Sequence, residues 1–185
     1  YEACLRAEEE NYRDGNYGAG CGATVGKFAG MDYCMKSGIG SCALQVGELQ
    51  VGAVVAVNAL GDIYDWRSGQ KLAGLLAEDR RSFRRTEDLM YADTRTVENK
   101  FTGNTTIGVV ITNADFQKAS LCKIAGMAHD GYARSIRPVH TTADGDSIYA
   151  VSVRDAEGKK VSADQDLVGT LAAEVMSEAI TAAVK

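Results

Sequence analysis

Gly103-Asn104-Thr105-Thr106 leads directly into Ile107-Gly108-Val109-Val110-Ile111-Thr112 just past the middle of the chain. The second run is short, apolar and rich in β-branched residues, so we expect a buried strand over residues 106–112. A charge-dense segment ends immediately upstream, at Phe101-Thr102. The junction therefore puts a small hydroxyl residue, Thr105, between a polar segment and the predicted core.

Thr105 is a candidate nucleophile that self-cleavage would release. If the bond between Asn104 and Thr105 is cut, the new N-terminal Thr carries a hydroxyl nucleophile and an α-amine that serves as its base. An α-amine has a reference pKa of about 7.7–8, so part of it is neutral near pH 8. The same residues also fit an ordinary turn ahead of a strand. Asn104-Thr105-Thr106 matches the N-glycosylation pattern as well, which matters in a secreted eukaryotic protein.

Length and charge limit the number of domains and the kinds of partner. The chain has 185 residues, 45% of them hydrophobic, which suffices for one core and not for two. We therefore expect a single domain over residues 1–185. A net charge of -5 argues against a nucleic-acid partner. The longest nearly apolar run, residues 51–60, is about half of a membrane span, so no membrane association is expected.

The cysteines and the start of the chain bear on location. Five cysteines form an odd set without a Cys-x-x-Cys pair, which predicts neither a zinc ribbon nor a closed disulfide framework. Reduced thiols in a bacterial cytoplasm fit this set. The chain opens at Tyr1 and carries no signal-peptide pattern.

A glycine-rich stretch, residues 18–27, fails both common phosphate-binding patterns. The dinucleotide pattern needs a third Gly where Val25 stands. The P-loop pattern fails at Cys21, where its first Gly belongs, and at Phe28, where Ser or Thr should follow the Lys. We therefore predict no nucleotide, and neither a cofactor nor a metal is expected.

Hydrophobic periodicity predicts a layered α/β or α+β protein. The predicted strands cover residues 41–45, 51–58, 106–112 and 147–153. The predicted helices cover residues 2–11, 115–136 and 163–184. Asn113 is expected to cap the second helix, which Pro138 ends. The charge-rich residues 78–100 are expected to form a solvated loop, and residues 155–158 a turn.

Six motifs occur in a fixed order along nearly the whole chain. They are residues 18–27, 51–62, 104–110, 127–134, 136–141 and Asp144-Gly145-Asp146. Together they resemble the family of L-aminopeptidase D-Ala-esterase/amidases, β-peptidyl aminopeptidases and endo-type nylon oligomer hydrolases. The Asn-Thr junction and the two aspartates are more similar to the nylon oligomer hydrolase branch, since the aminopeptidases carry Gly-Ser at the cut and Ser and Glu in place of the aspartates.

The resemblance implies a fold and an activity. The fold is a four-layer αββα sandwich of the N-terminal-nucleophile hydrolase type, and self-cleavage yields an α-chain part, residues 1–104, and a β chain, residues 105–185. The activity is hydrolysis of linear amides through an acyl-enzyme on Thr105, with 6-aminohexanoate oligomers, short peptides or amino-acid amides as substrates. A homo-oligomer is also implied. Family members are nearly twice as long, so we expect an incomplete sandwich.

The resemblance also implies a set of site residues. They are Thr105, Lys27, Asn58, Asp144 and Asp146, with Asn104 on the other side of the cut. Asn58 is expected to donate its amide to the developing oxyanion. Two carboxylates separated by one Gly either point to the same side or share a proton, which raises the pKa of one of them. Either arrangement would orient the Thr105 amine or assist an N-to-O acyl shift.

The residues themselves leave other interpretations open. Lys27 also fits a surface lysine, Asn58 a turn former, and Asp144-Gly145-Asp146 a hairpin turn or part of a cation site. His129 and His140 suggest a Thr-His pair, but His129 lies in a helix pattern and His140 just after a proline turn. We therefore predict structural hydrogen bonds for both histidines.

Two other functions stay open. One is an acyltransferase of the ornithine acetyltransferase type, which also depends on Thr-based self-cleavage. The other is a non-catalytic, truncated remnant that serves as an assembly module. The second would be favoured by a structure with an unbroken Asn104-Thr105 peptide in which Asp144 and Asp146 lie far from Thr105.

Overall fold

The computed structural model describes residues 1–8, 11–92, 103–154 and 158–185. The strands are β1 Thr24–Val25, β2 Met35–Lys36, β3 Ile39–Val46, β4 Leu49–Asn58, β5 Asp62–Tyr64, β6 Lys71–Ala73, β7 Thr105–Thr112, β8 Ile136–Arg137 and β9 Ser147–Ser152. The helices are α1 Glu2–Leu5, α2 Thr86–Ala92, α3 Lys118–Ser135 and α4 Gln165–Ala182, with short 3-10 turns at Gly18–Gly20 and Met31–Tyr33.

The main sheet of the described residues has the order β3-β4-β7-β9. The strands β3, β4 and β7 are mutually antiparallel, whereas β9 runs parallel to β7. Alternate residues of β4 are buried, from Leu49 through Val57, while those between them are more exposed. This two-residue period means that the sheet buries one face.

Helices α3 and α4 cover the buried face of the main sheet. Ile124, Ala128 and Tyr132 of α3 are fully buried and belong to the same core cluster as the buried residues of β4 and α4. Gly131 lets the two helices approach closely, since a Cβ there would lie 2.6 Å from the carbonyl oxygen of Ala173. The core therefore lies between one sheet layer and one helix layer.

The opposite face of the main sheet remains open in the described residues. Ile107, Tyr149 and Val151 are 49%, 63% and 39% exposed on this face. A groove of about 710 Å³ also runs along it, lined in part by Val54 and Ile111. The described part therefore contains one α layer and one β layer, which is half of the predicted four-layer sandwich.

Most predicted elements of the main layers are confirmed within a few residues. The strands β3, β4, β7 and β9 and helix α4 match their predicted ranges. Helix α1 ends at Leu5, earlier than predicted. The predicted turn at 155–158 falls largely on residues 155–157, which lie outside the described residues. No helix in the described part of the chain is long and apolar enough to cross a membrane.

The predicted cap of α3 is wrong. The helix begins at Lys118, whereas Asn113 directly follows the end of β7 and bonds to the β3–β4 turn and to the start of β4. Its side chain accepts a hydrogen bond from the Gln50 amide and donates one to the Glu48 carbonyl oxygen, each at 2.8 Å. The Asn113 side chain therefore bonds to residues distant in sequence instead of capping the helix that follows it.

The loop predicted at 78–100 is also partly wrong, because helix α2 lies within it. Buried Asp62 accepts hydrogen bonds from the amide and hydroxyl of Thr86, at 2.8 and 2.9 Å, and from the Leu75 amide at 2.8 Å. The bond from the Thr86 amide satisfies one of the backbone donors that have no partner within the first turn of α2. Lys71 also forms an ion pair with Asp62 at 2.9 Å. Residues 93–100 of the predicted loop lie outside the described residues.

Candidate active site

The Asn104-Thr105 junction lies at one end of the main sheet, where β4 ends and β7 begins. Thr105 is half-buried and pairs with Asn58 across the two strands. Asn104 is 1% exposed and forms an isolated parallel bridge with Asp144. The junction is therefore built into the sheet and lies between residues that are distant in sequence.

The carbonyl oxygen of Asn104 accepts two hydrogen bonds. The Gly145 amide donates from 2.9 Å and the Thr105 hydroxyl, Oγ1, from 2.5 Å. Gly145 approaches so closely that a Cβ there would lie 2.8 Å from Thr105 Oγ1. The two donors draw electron density from the carbonyl carbon and leave the hydroxyl beside the bond that it would attack.

The two predicted aspartates lie on either side of Gly145. Asp144 accepts hydrogen bonds from the Leu60 amide at 3.2 Å and from the amide and hydroxyl of Thr141 at 3.1 and 2.6 Å. Asp146 accepts one from the Thr106 amide at 2.9 Å. Because each carboxylate has its own donors, this arrangement favours separate orientation over a shared proton.

Lys27 and Asn58 form the other side of the site. Lys27 is 1% exposed, so it is not a surface lysine, and its ammonium donates to the backbone oxygen and to Oδ1 of Asn58 at 3.0 and 2.7 Å. The Thr24 amide also donates to Oδ1, at 3.1 Å. These donors fix the orientation of the amide, whose Nδ2 donates to the Gly103 carbonyl oxygen at 2.7 Å.

The pKa of Lys27 falls from its ordinary value to about 8, chiefly because burial penalises the charged form. Cys34 and Asp144 act in the opposite direction by favouring the ammonium. Near neutral pH the side chain is therefore charged for most of the time and loses its proton in mildly alkaline solution.

Every predicted site residue is found in this one region. Asn104, Thr105, Lys27, Asn58, Asp144 and Asp146 are linked to one another by the contacts above. The prediction from sequence did not assign any part to the Gly145 amide or to Thr141. The structural hydrogen bonds predicted for the two histidines are present, since His140 Nδ1 lies 2.9 Å from Asp146 Oδ2 and His129 Nδ1 lies 3.3 Å from His140 Nε2. Within the described residues, no group of three or more His, Cys, Asp or Glu side chains could hold a metal ion.

The architecture matches that of a solved structure of an N-terminal-nucleophile hydrolase. The L-aminopeptidase D-Ala-esterase/amidase of Ochrobactrum anthropi, described as a new variant of the Ntn hydrolase fold, aligns with a TM-score of 0.58 and 18% identity. The match covers 93% of this chain and 44% of that one. The fold is therefore that of the Ntn hydrolases, as the sequence predicts.

Sequence comparison identifies the family. An uncharacterized aminopeptidase of Mycobacterium leprae is 35% identical over 160 residues, which are 85% of this chain and 42% of that protein. A 6-aminohexanoate-oligomer endohydrolase of Paenarthrobacter ureafaciens is 29% identical over 185 residues, 94% of this chain and 51% of that protein. The model of peptidase family S58 matches residues 1–185, and the chain belongs to this family. It spans about half the length of these curated relatives.

Proposed function

We propose that the chain is part of an autoprocessing amide hydrolase in which Thr105 is the nucleophile. One observation carries the proposal: the Asn104 carbonyl oxygen accepts hydrogen bonds from Thr105 Oγ1 and from the Gly145 amide. Membership of a peptidase family supports amide bonds as the substrate. The single domain would become two chains, residues 1–104 and 105–185.

The proposed self-cleavage begins as an N-to-O acyl shift. Thr105 Oγ1 attacks the carbonyl carbon of Asn104, and the resulting oxyanion keeps its hydrogen bond from the Gly145 amide. The C–N bond then breaks, and the proton lost by the hydroxyl ends on the Thr105 nitrogen. Water hydrolyses the ester, which frees the Asn104 carboxylate and leaves Thr105 with a free hydroxyl and a free α-amine.

Substrate turnover would reuse the same groups. The α-amine of Thr105 acts as base while the hydroxyl attacks the substrate amide, and an acyl-enzyme forms as the product amine departs. Once the Gly103 side of the cut moves away, Asn58 Nδ2 is free to donate to the substrate oxyanion. Lys27 holds that amide in place through Asn58 Oδ1. Asp144 and Asp146 keep the Gly145 turn against the nucleophile.

The proposed substrates are small linear amides. The names of relatives, aminopeptidase and 6-aminohexanoate-oligomer endohydrolase, support 6-aminohexanoate oligomers, short peptides or amino-acid amides. Bacterial relatives support a bacterial origin, and the reduced thiols expected from the cysteine pattern fit a cytoplasmic location. A homo-oligomer stays part of the proposal because the family resemblance implies it.

Denaturing mass spectrometry of the purified chain tests the proposal. We expect fragments 1–104 and 105–185, no cleavage in Thr105→Ala, and slower cleavage in Thr105→Ser, which keeps a hydroxyl. A wild-type chain that stays intact on incubation would contradict self-cleavage. Normal processing of Thr105→Ala would mean that a residue other than Thr105 is the nucleophile. Discharge of the acyl-enzyme only to an amine would favour an acyltransferase. The short contacts between the aspartate turn and the junction argue against a non-catalytic remnant.

A further inference from the structure

His140 makes two contacts with one oxygen of Asp146. Its ring nitrogen Nδ1 lies 2.9 Å from Asp146 Oδ2, and its backbone amide donates to the same oxygen at 3.3 Å. Asp146 is 3% exposed at its side chain, whereas His140 is 40% exposed. A partly exposed imidazole therefore reaches a buried carboxylate of the candidate active site.

The backbone of His140 is held in an uncommon conformation. Its φ of +56° lies in the left-handed region, which few residues other than Gly adopt, although Asn, Asp and His adopt it more often than the rest. This conformation is the one in which the amide and the ring of His140 both reach Asp146. The backbone conformation and the two contacts together fix the position of this side chain.

The other oxygen of Asp146 contacts the strand that carries the nucleophile. Asp146 Oδ1 accepts a hydrogen bond from the Thr106 amide at 2.9 Å, one residue after Thr105. The hydroxyl oxygen of Tyr132 lies 3.3 Å from the Thr106 carbonyl oxygen, on the same peptide segment. Asp146 therefore connects His140 to the start of β7.

A second histidine completes the arrangement. His129 Nδ1 lies 3.3 Å from His140 Nε2, and the rings of His129 and Tyr132 meet edge to face. Burial lowers the pKa of His129, and the proximity of His140 lowers it further, against the opposing charges of Asp146 and Asp130. Burial keeps the pKa of Tyr132 well above its ordinary range, so its phenol stays protonated. Among the described residues, Asp146, Tyr132 and Asp130 are the other titratable groups beside the histidine pair.

We propose that His140 is a positioning residue, which holds Asp146 against the start of β7 and so supports the reaction at Thr105. The role of His140 in the reaction rests on the proposed self-cleavage at Thr105. The contact between His140 and Asp146 does not depend on that proposal. In the neutral state His140 donates through Nδ1 to Asp146, so its Nε2 accepts a hydrogen bond from His129 Nδ1. Both histidines are then Nδ1–H tautomers.

Nitrogen NMR of the Thr105→Ala chain tests the contact without any need for cleavage. The two histidines of the sequence give few ring signals, and the spectra are recorded in the pH range in which those signals no longer change. We expect both as Nδ1–H tautomers, and we expect His140 to lose this preference when Asp146→Ala is added. An Nε2–H tautomer for His140 in the Thr105→Ala chain, or no response to Asp146→Ala, would overturn the proposal.

The rate of self-cleavage tests the role in the reaction, with His140→Gly and His140→Asn as a matched pair. Both replacements tolerate a positive φ, but only Asn keeps a side-chain donor, and neither takes up a proton. We expect His140→Gly to cleave about tenfold more slowly, as the loss of one hydrogen bond to a charged group predicts. His140→Asn should recover most of that loss, because its side chain can still donate to Asp146.

The outcomes separate this proposal from the proposed function. Equal rates in wild type, His140→Gly and His140→Asn would overturn the role of His140 in the reaction, and so would an Asn variant as slow as the Gly variant. Failure of the wild-type chain to cleave at any pH would contradict the proposed function and the dependence of cleavage on His140. In that case the tautomers would still decide whether His140 holds Asp146.

Discussion

The two sides of the Asn104-Thr105 junction are built from different chemistry. On one side, buried Lys27 orients Asn58, whose amide donates to the Gly103 carbonyl oxygen ahead of the cut. On the other side, the turn at Gly145 contacts the Asn104 carbonyl oxygen at the cut itself. The cationic side therefore contacts the segment that would leave, and the acidic side contacts the bond that would break.

The difference indicates that the two sides act at different stages of the proposed reaction. The Gly145 amide already donates to the carbonyl oxygen of the intact chain, so this side is ready for self-cleavage. The Asn58 amide is occupied by Gly103 and becomes available only after the cut. Substitutions on the acidic side should therefore slow self-cleavage more than substitutions on the cationic side do.

The largest effect is expected from Gly145→Ala. The new Cβ would lie 2.8 Å from Thr105 Oγ1, which forces the hydroxyl or the turn to move and disturbs both donors to the Asn104 carbonyl oxygen. Loss of a donor of this kind costs about a hundredfold or more in rate. We expect cleavage, followed by intact mass, to slow by at least that factor.

The matched control is Gly126→Ala on α3. A Cβ at Gly126 meets no atom within 4 Å, and in a helix interior Ala is preferred to Gly. The control chain should therefore cleave at the wild-type rate and unfold at the same or a higher temperature. If the Gly145→Ala and Gly126→Ala chains cleave at equal rates, the Gly145 turn has no part in the proposed mechanism.

A smaller effect, on stability, is expected on the cationic side. The pKa of Lys27 is about 8 in the folded chain, below its value in the unfolded chain, so between the two values the unfolded state binds more protons. Below about pH 8 the buried Lys27 is charged, and burial of this charge lowers the free energy of unfolding. This cost decreases as the pH rises toward the pKa of Lys27 in the unfolded chain. Relative to Lys27→Met, the Lys27 chain should gain about 2 kcal/mol of unfolding free energy between about pH 7.5 and about pH 9.5.

Urea unfolding at the two pH values measures this gain. Both chains should carry Thr105→Ala, which keeps them uncleaved, and the other titrating groups are common to both and cancel. A difference between the two chains that stays constant with pH, or decreases as pH rises, would mean that burial does not control the charge of Lys27.

The sequence predicts the layers of the fold better than it predicts the contacts of the site. The alternation in β4 and the helical spacing in α4 are local patterns, and both elements form within a few residues of their predicted ranges. Asn113 was misassigned because its partners, Gln50 and Glu48, are more than sixty residues away in sequence. Local periodicity carries no information about such partners.

The same distinction holds within the site. Motif resemblance predicts Thr105 and the two aspartates, because the proposed chemistry depends on their side chains. The contributions of Gly145 and His140 depend on a backbone amide and on a φ of +56°, which no residue pattern reveals. The sequence shows that six positions separate His140 from Asp146, but it does not show that the intervening turn brings the two side chains into contact.

The smallest effect is expected from Thr141→Val, which keeps the shape of the side chain but removes a donor to Asp144 and the acceptor of a 3.3 Å hydrogen bond from the Ala143 amide. The Thr141 hydroxyl donates to Asp144 Oδ2 at 2.6 Å, while the amides of Thr141 and Leu60 continue to hold the carboxylate. Loss of one of several hydrogen bonds to a charged group should slow cleavage about threefold to tenfold. Thr142→Val, at an exposed neighbouring position, is the control and should cleave at the wild-type rate. If Thr141→Val slows cleavage no more than Thr142→Val does, Asp144 needs only its backbone donors, and the acidic side of the junction is held by the turn alone.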